Sequence, residues 1–319
     1  MKFVFIVNPI AGNEDKARIF KNIKSAFRHN DHEMIIEETG AQGDAQKISK
    51  RYADEFGDEC VIVACGGDGT VHEVANGLAG TKSPMLLLPL GTGNDFAKKI
   101  YGIKEINAEE IISKFGFFTG DITYTVKPID LIDYNGEKCI NVMSFGLDTI
   151  VETIGRKMVA KAPFLGAKAY TLAIFPVLAK PIHYSISYDI TAVDENGNEY
   201  QFKEDNKDYA LFAICNASYY GGGFCPAPNS VLDDGLLDFA LVNGLPLHKA
   251  LPMIPKYSAG NANEETCPGL ITTGRLKSGK IWMEDGSPLL GNCDGENFNY
   301  TELNFRVDEK AINLCFLKD

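Results

Sequence analysis

Apolar residues in the first 120 positions fall into short solid runs separated by stretches with helical spacing. Residues 2–7 read as a first strand. Residues 14–27 put Ala17, Phe20, Ile23 and Phe27 on one helical face. A strand follows over 33–38, then a helix over 44–55 capped by Asp44, then a buried strand over 60–65. Residues 71–79 read as a helix, 85–89 as a strand, and 95–101 as a helix capped by Asn94 or Asp95. Strands alternating with helices over short links predict a parallel sheet covered on both faces.

The pattern changes near Gly120. Segments 122–134 and 137–144 flank Asn135-Gly136, a strong short-range hairpin signal. A helical stretch over about 150–178 follows. Strand-like, turn-separated segments come next, at 182–193, 199–203, 209–217, 236–242, 281–283, 303–307 and 312–316. This half reads as an antiparallel β sandwich or barrel with one helical insertion. The expected division is an α/β domain over 1–121 and a β-rich domain over 122–307.

Composition fits packed domains: 319 residues, 45% hydrophobic and 23% charged. None of the eight cysteines forms a Cys-x-x-Cys pair, and several sit in apolar runs, as Cys65 and Cys315 do. They read as buried free thiols of a reducing compartment. The N-terminal apolar segment is too short for a secretory signal, so a cytoplasmic protein is expected. The longest apolar run, 169–179, is broken by Pro176 and falls short of the ~20 residues of a membrane span.

A net charge of −12 argues against nucleic acid as the main partner and against general attraction to anionic membranes. One stretch departs from that balance. Residues 153–188 contain no acid but carry Arg156, Lys157, Lys161, Lys168 and Lys180 around the 169–179 run. At an anionic surface each such charge contributes about 1 kcal/mol. The stretch is either a site of transient membrane association or a core helix with solvated lysines.

Three loops follow strands of the first half, where open α/β sheets place ligands. They are Asn8-Pro9-Ile10-Ala11-Gly12, Gly66-Gly67-Asp68-Gly69-Thr70 and Leu90-Gly91-Thr92-Gly93-Asn94-Asp95. Glycines allow the backbone close to a ligand, and the helix starts behind them aim N–H groups at an anion. A carboxylate repels phosphate unless a cation lies between them. Asp68 and Asp95 in glycine loops therefore point to a Mg²⁺-nucleotide. The bland alternative is a tight turn at Asp68 and a helix cap at Asp95. The P-loop, the dinucleotide fingerprint and the protein-kinase signatures are absent from the sequence.

The run Gly66-Gly67-Asp68-Gly69-Thr70-Val71-His72-Glu73, followed by Pro89-Leu90-Gly91-Thr92-Gly93-Asn94-Asp95-Phe96, resembles the diacylglycerol kinase catalytic domain, nearest its soluble bacterial lipid kinases. The resemblance continues through Tyr220-Gly221-Gly222-Gly223, Leu232-Asp233-Asp234-Gly235-Leu236 and Asn292-Cys293-Asp294-Gly295-Glu296. It implies an ATP-dependent kinase acting on diacylglycerol or a related lipid alcohol, with a β-sandwich second domain and residues 308–319 returning to the first. Nucleotide would be held by Asn8, Gly12, Thr39, the run from Gly67 through Asp68, Gly69 and Thr70 to Glu73, and Thr92. Asp68 and Asp95 would manage Mg²⁺ and the transferring phosphate. Asp234, with the carbonyls of Val231 and Leu236, would hold a second, structural Mg²⁺. Asp130 would link the domains, and Glu296 would be the general base. A membrane lipid would be the substrate, the enzyme would sit peripherally on the membrane, and a homodimer is left open. Many relatives carry Lys after the first loop's glycine; this chain has Asn13, with Lys16 as the nearby substitute.

Two rivals fit part of the pattern. A soluble-metabolite kinase of the NAD kinase type shares the Gly66–Thr70 loop. A regulator that binds lipid or nucleotide without catalysis would not need Asp68, Asp95 and Glu296. Without the resemblance, a solvated turn acid is the favoured reading of Glu296, and Asp234 could equally be a plain turn residue.

Overall fold

The computed structural model of the chain describes residues 1–166, 168–178 and 183–318. Lys180 and Ala179, the end of the longest apolar run, lie outside the described residues. The chain divides into two compact units, Met1–Ile129 with Lys310–Asp319, and Asp130–Glu309.

The first unit contains strands β1 (Lys2–Val7), β2 (Glu33–Glu38), β3 (Cys60–Gly66) and β4 (Met85–Pro89). Its helices are α1 (Lys16–Phe27), α2 (Asp44–Phe56), α3 (Asp68–Leu78), α4 (Asp95–Tyr101) and α5 (Ala108–Lys114). β1 pairs in parallel with β2 and β3, and β3 with β4. The C-terminal end of the last strand adds a further parallel pairing, Leu314 opposite Met85. Phe3, Phe5, Val61, Val63, Leu86 and Leu88 pack on one face against Ile19, Ile23 and Phe27 of α1 and Ile111 of α5. Val4, Ile6, Ile62 and Ala64, on the opposite face, are equally buried. Burial on both faces is why these strands read as unbroken apolar runs. In register, Val7 lies opposite Cys65, and Gly66 opposite Pro89. Three strands therefore end side by side, and the three glycine loops leave from one edge.

Two local expectations need correction. Asp44 does not cap α2. The capping position is Gly43, and the Asp44 carboxylate turns back to accept from the Gly40 and Ala41 amides at 3.0 and 2.8 Å. Helix α4 starts behind Asn94, which is left-handed at φ 51° and gives no side-chain cap. The Asn94 amide instead braces its own loop, donating to Pro89 O and Gly91 O.

The second unit begins in β5 (Thr125–Tyr134), followed by β6 (Glu137–Cys139), β7 (Val142–Gly146), α6 (Leu147–Lys161), α7 (Lys168–Leu178), β8 (Tyr184–Val193) and β9 (Glu199–Cys215). Next come β10 (Leu237–Asn243), α8 (Leu247–Ser258), β11 (Ile271–Trp282), β12 (Gly291–Cys293), β13 (Glu296–Asn297) and β14 (Glu302–Phe316). Its pairings are antiparallel, in the order β13-β12-β7-β9-β10-β11-β14, with β8 joined to both β9 and β11. One core, including Tyr188, Phe212, Phe239, Leu276 and Phe305, fills the strand interior. A second lies between strands and helices, with Val151, Ala173, Ile174, Met253 and Tyr257.

The segments 199–203 and 209–217 are one strand, β9. The polar run between them holds a left-handed Asn206 beside a register shift, a bulge rather than a break. Likewise 303–307 and 312–316 belong to β14, which passes Lys310 at φ 54°. The expected helix over 150–178 is two helices, parted at Ala162 and a short 3₁₀ turn, Pro163–Leu165.

Candidate functional site

The loop after β1 is closed by the Asn8 side chain, whose Oδ1 accepts from the Ile10 amide at 3.1 Å. Gly12 ends this loop against the third one, where a Cβ would lie 2.2 Å from the Leu90 carbonyl oxygen. Lys16 Nζ donates to the Ala11 carbonyl, so this lysine is tied to the loop that Asn13 leaves uncharged. Thr39 follows β2, and its amide donates to Val7 O at 2.9 Å. The second and third loops touch through backbone: a Cβ on Gly91 would sit 2.2 Å from Gly67 Cα. Only glycine permits that approach. Gly69 and Thr92 are exposed at the loop surface, and Thr70 is buried with its amide on Gly67 O at 3.0 Å.

The two loop carboxylates converge. A Cβ built on Gly93 would lie 3.0 Å from Asp68 Oδ2 and 4.0 Å from Asp95 Oδ2. Asp68 Oδ1 is fixed by the Phe96 amide at 3.1 Å. Asp95 is buried and paired with Lys98 Nζ at 2.6 Å. Burial, and then the Asp95 charge, push the Asp68 carboxyl up to about 6. The two carboxylates lie together next to loops built to approach phosphate. That donor set fits Mg²⁺. Glu73 is engaged elsewhere. Its carboxylate accepts from the Gly43 and Ala45 amides at 2.8 and 3.0 Å, and so supplies the α2 cap that Asp44 does not.

In the second unit, β12 and β13 form a hairpin with Cys293 opposite Glu296, joined by Asp294 (φ 49°) and Gly295 (φ 83°). Two successive left-handed residues make the tight turn that suits strand twist. The Asp294 carboxylate is structural: it accepts from the Ile140, Asn141 and Val142 amides at 2.9 to 3.1 Å. Glu296 then projects beside α6, where Arg156 Nη2 donates to its Oε1 at 3.0 Å. Arg156 belongs to the acid-free stretch that the sequence leaves open between membrane association and a solvated helix face. In the structure its guanidinium meets Glu152 one helical turn back and Glu296 on β13. Asp148, Glu152 and Arg156 recur at i, i+4 and i+8 along α6, with the two acids just ahead of the acid-free 153–188 stretch and Arg156 inside it.

Asp130 is buried, with Oδ2 accepting from the Gly235 amide at 2.8 Å. Asp234 does not present an open carboxylate. Oδ1 accepts from Leu236 N at 3.1 Å, and Oδ2 is ion-paired with Arg275, while Val231 is 46% exposed. A cation there would have to displace the guanidinium. All eight cysteines are free and buried, consistent with core thiols.

Two known domains match along the chain, the second running through Asp130–Glu309 into the C-terminal segment of the first unit. Residues 2–121 match the diacylglycerol kinase catalytic domain, and 141–316 the YegS C-terminal NAD kinase beta sandwich-like domain. The chain is 30% identical over 297 residues to a Shewanella frigidimarina protein named "Probable lipid kinase YegS-like", covering 90% of this chain and 85% of the relative. It is 29% identical over 242 residues to a diacylglycerol kinase of Bacillus subtilis, covering 74% and 72%. A crystal structure from Bacillus anthracis str. Sterne, assigned to the diacylglycerol kinases, superposes with a TM-score of 0.70 at 25% identity, over 99% of this chain and 97% of that one. The domain pair and the relatives together place this chain in the diacylglycerol kinase catalytic-domain family, with the YegS-type C-terminal domain.

Proposed function

We propose that this chain is an ATP-dependent lipid kinase that phosphorylates the hydroxyl of diacylglycerol or a related membrane lipid alcohol. The observation that carries this reading is the convergence of Asp68 and Asp95 on Gly93, between two loops whose backbones touch at Gly67 and Gly91. Kinase family membership supports it. Asn8, Gly12, Thr39, Gly67, Gly69, Thr70 and Thr92 would line the nucleotide. Glu73 would act one step removed, through the α2 start that it caps. Mg²⁺, when bound between Asp68 and Asp95, would offset phosphate charge.

The chain's own work is positioning and proton transfer. The acceptor oxygen bonds to the γ-phosphorus as the bond to the departing ADP oxygen breaks. The hydroxyl proton passes to Glu296. The acceptor is proposed to be a lipid because of the face formed by α6, α7 and the turn between them. Phe164, Leu172 and Phe175 are 87%, 43% and 63% exposed there. Lys157, Lys161 and Lys168 are exposed around them. No described helix is long and apolar enough to cross a membrane, so this face would rest on the bilayer surface.

The test is phosphoryl transfer from labelled ATP with Mg²⁺ to detergent-dispersed diacylglycerol, other lipid alcohols, or NAD. Incorporation into a lipid is expected. Incorporation into NAD alone would overturn the proposal.

A further inference from the structure

Glu296 is poorly restrained by its own element. It opens a two-residue strand after a two-residue turn, and its side chain is 35% exposed. A free glutamate side chain loses up to about 2 kcal/mol of rotamer entropy when fixed. A base that wanders loses the alignment that proton transfer needs.

Helix α6 supplies the restraint. Arg156 Nη2 donates to Glu296 Oε1 at 3.0 Å, and Nη1 reaches Oε2 at 3.5 Å. The same guanidinium bonds the Gly295 carbonyl through Nη2 and Glu152 Oε1 through Nε. Glu152 is 13% exposed and holds the far edge of the planar fork. A parallel tie, Asn297 Nδ2 to Thr153 Oγ1 at 3.1 Å, fastens the same strand to the same helix. The direction of the Glu296 carboxylate is therefore set by a rigid helix rather than by a hairpin tip. Only a guanidinium can serve both carboxylates and a carbonyl at once in one plane.

We infer that Arg156 is the positioning residue of the acceptor step, gripping Glu296 on one side and Glu152 on the other so that the base faces the hydroxyl it deprotonates. The inference rests on the reading of Glu296 as the base. Arg156 acts through Glu296 and does not itself touch the reacting atoms.

The experiment uses the full chain, ATP and detergent-dispersed diacylglycerol, with Arg156→Gln, Arg156→Lys, Glu296→Gln and the double variant Arg156→Gln/Glu296→Gln. Misplacement of a catalytic group by about 1 Å costs up to about 100-fold, so kcat of Arg156→Gln should fall about 10- to 100-fold while the KM for ATP stays within about twofold. Arg156→Lys should recover part of the loss, since it keeps the charge but not the fork, and it substitutes for Arg156→Gln if melting shows the latter misfolded. In the Glu296→Gln background, Arg156→Gln should cost nothing further. A normal kcat for Arg156→Gln beside an impaired Glu296→Gln overturns this inference and leaves the base assignment standing. Near-normal turnover of Glu296→Gln removes the base assignment and this inference with it. Multiplicative losses in the double variant would mean that Arg156 serves another group, and would also overturn it.

Discussion

Asp148 offers a test that needs no substrate. It is 9% exposed, at the start of the α6 face that carries Glu152 and Arg156. Oδ1 accepts from the Thr149 amide at 2.9 Å, and Oδ2 is buried. Burial pushes the carboxyl up from 3.8 to about 7, against the opposing pull of the Ser144 and Tyr220 hydroxyls. Between about pH 4 and pH 7 the folded state holds this proton and the unfolded chain does not. Stability is therefore favoured at the acid end and lost as pH rises through the window. Moving the carboxyl from 3.8 to about 7 is worth about 4 kcal/mol, of which about 2 to 3 kcal/mol falls between pH 5 and pH 8.

Asp148→Asn removes the titration while keeping the shape. Its altered hydrogen bonding adds a cost that does not depend on pH and cancels when the two pH values are compared. Urea or thermal unfolding of parent and variant at pH 5 and pH 8 is the assay. The variant should gain about 2 to 3 kcal/mol on the parent between those values. For a unit of this size that is a relative rise in Tm of about 5 to 10 °C. A difference that stays constant with pH, or that favours the parent at pH 8, would refute the argument from burial.

Four further outcomes are expected. Asp68→Ala should abolish phosphoryl transfer while the melting transition persists, because it removes a charge between loops rather than core; a folded, active variant would remove Asp68 from the site. Glu296→Gln should lower lipid phosphorylation about 100- to 10,000-fold, roughly 3–5 kcal/mol in barrier, with ATP affinity nearly unchanged, as titration calorimetry would show. Replacing Lys157, Lys161 and Lys168 with Gln should weaken sedimentation with anionic vesicles while activity on a short-chain, water-soluble acceptor survives; unchanged vesicle binding would leave these lysines as a solvated face. Gly91→Ala should destabilise the first unit and stop ATP binding together, since its Cβ would meet the Gly67 backbone at 2.2 Å; a stable variant that binds ATP would show that the loops do not need this contact.

How much of this was legible depended on whether a residue's partner was near it in sequence. The parallel sheet could be read because its strands are buried on both faces, so that Val61 to Cys65 form an unbroken apolar run. β11 could be read only at its end, because its exposed face alternates Thr, Arg, Lys and Ser with glycines. α8 was hidden by Pro252 and Pro255; the burial of Ala250, Met253 and Tyr257 in the helix-side core outweighs the broken hydrogen bonds. α5 is a short helix of 7 residues whose signals are local, the Asn107 cap that accepts from the Glu110 amide at 3.2 Å and the spacing of Ala108, Ile111 and Ile112.

The site divides in the same way. The glycine loops announce themselves because backbone approach demands a residue type. The roles of the acids do not, because a carboxylate's role is decided by what meets it. Asp294 and Glu296 stand two residues apart in one turn, yet the first is consumed by three backbone amides of the 140–142 segment and the second by a helix some 140 positions away. Asp234 reads equally as a turn residue or, by resemblance, a metal ligand, and the group that meets its carboxylate is Arg275, 41 positions on. Arg156 is one basic residue among several in the acid-free stretch, and the fold brings Glu296 to it. In each case the residue type was visible in the chain, and the partner that decides its chemistry was supplied by topology.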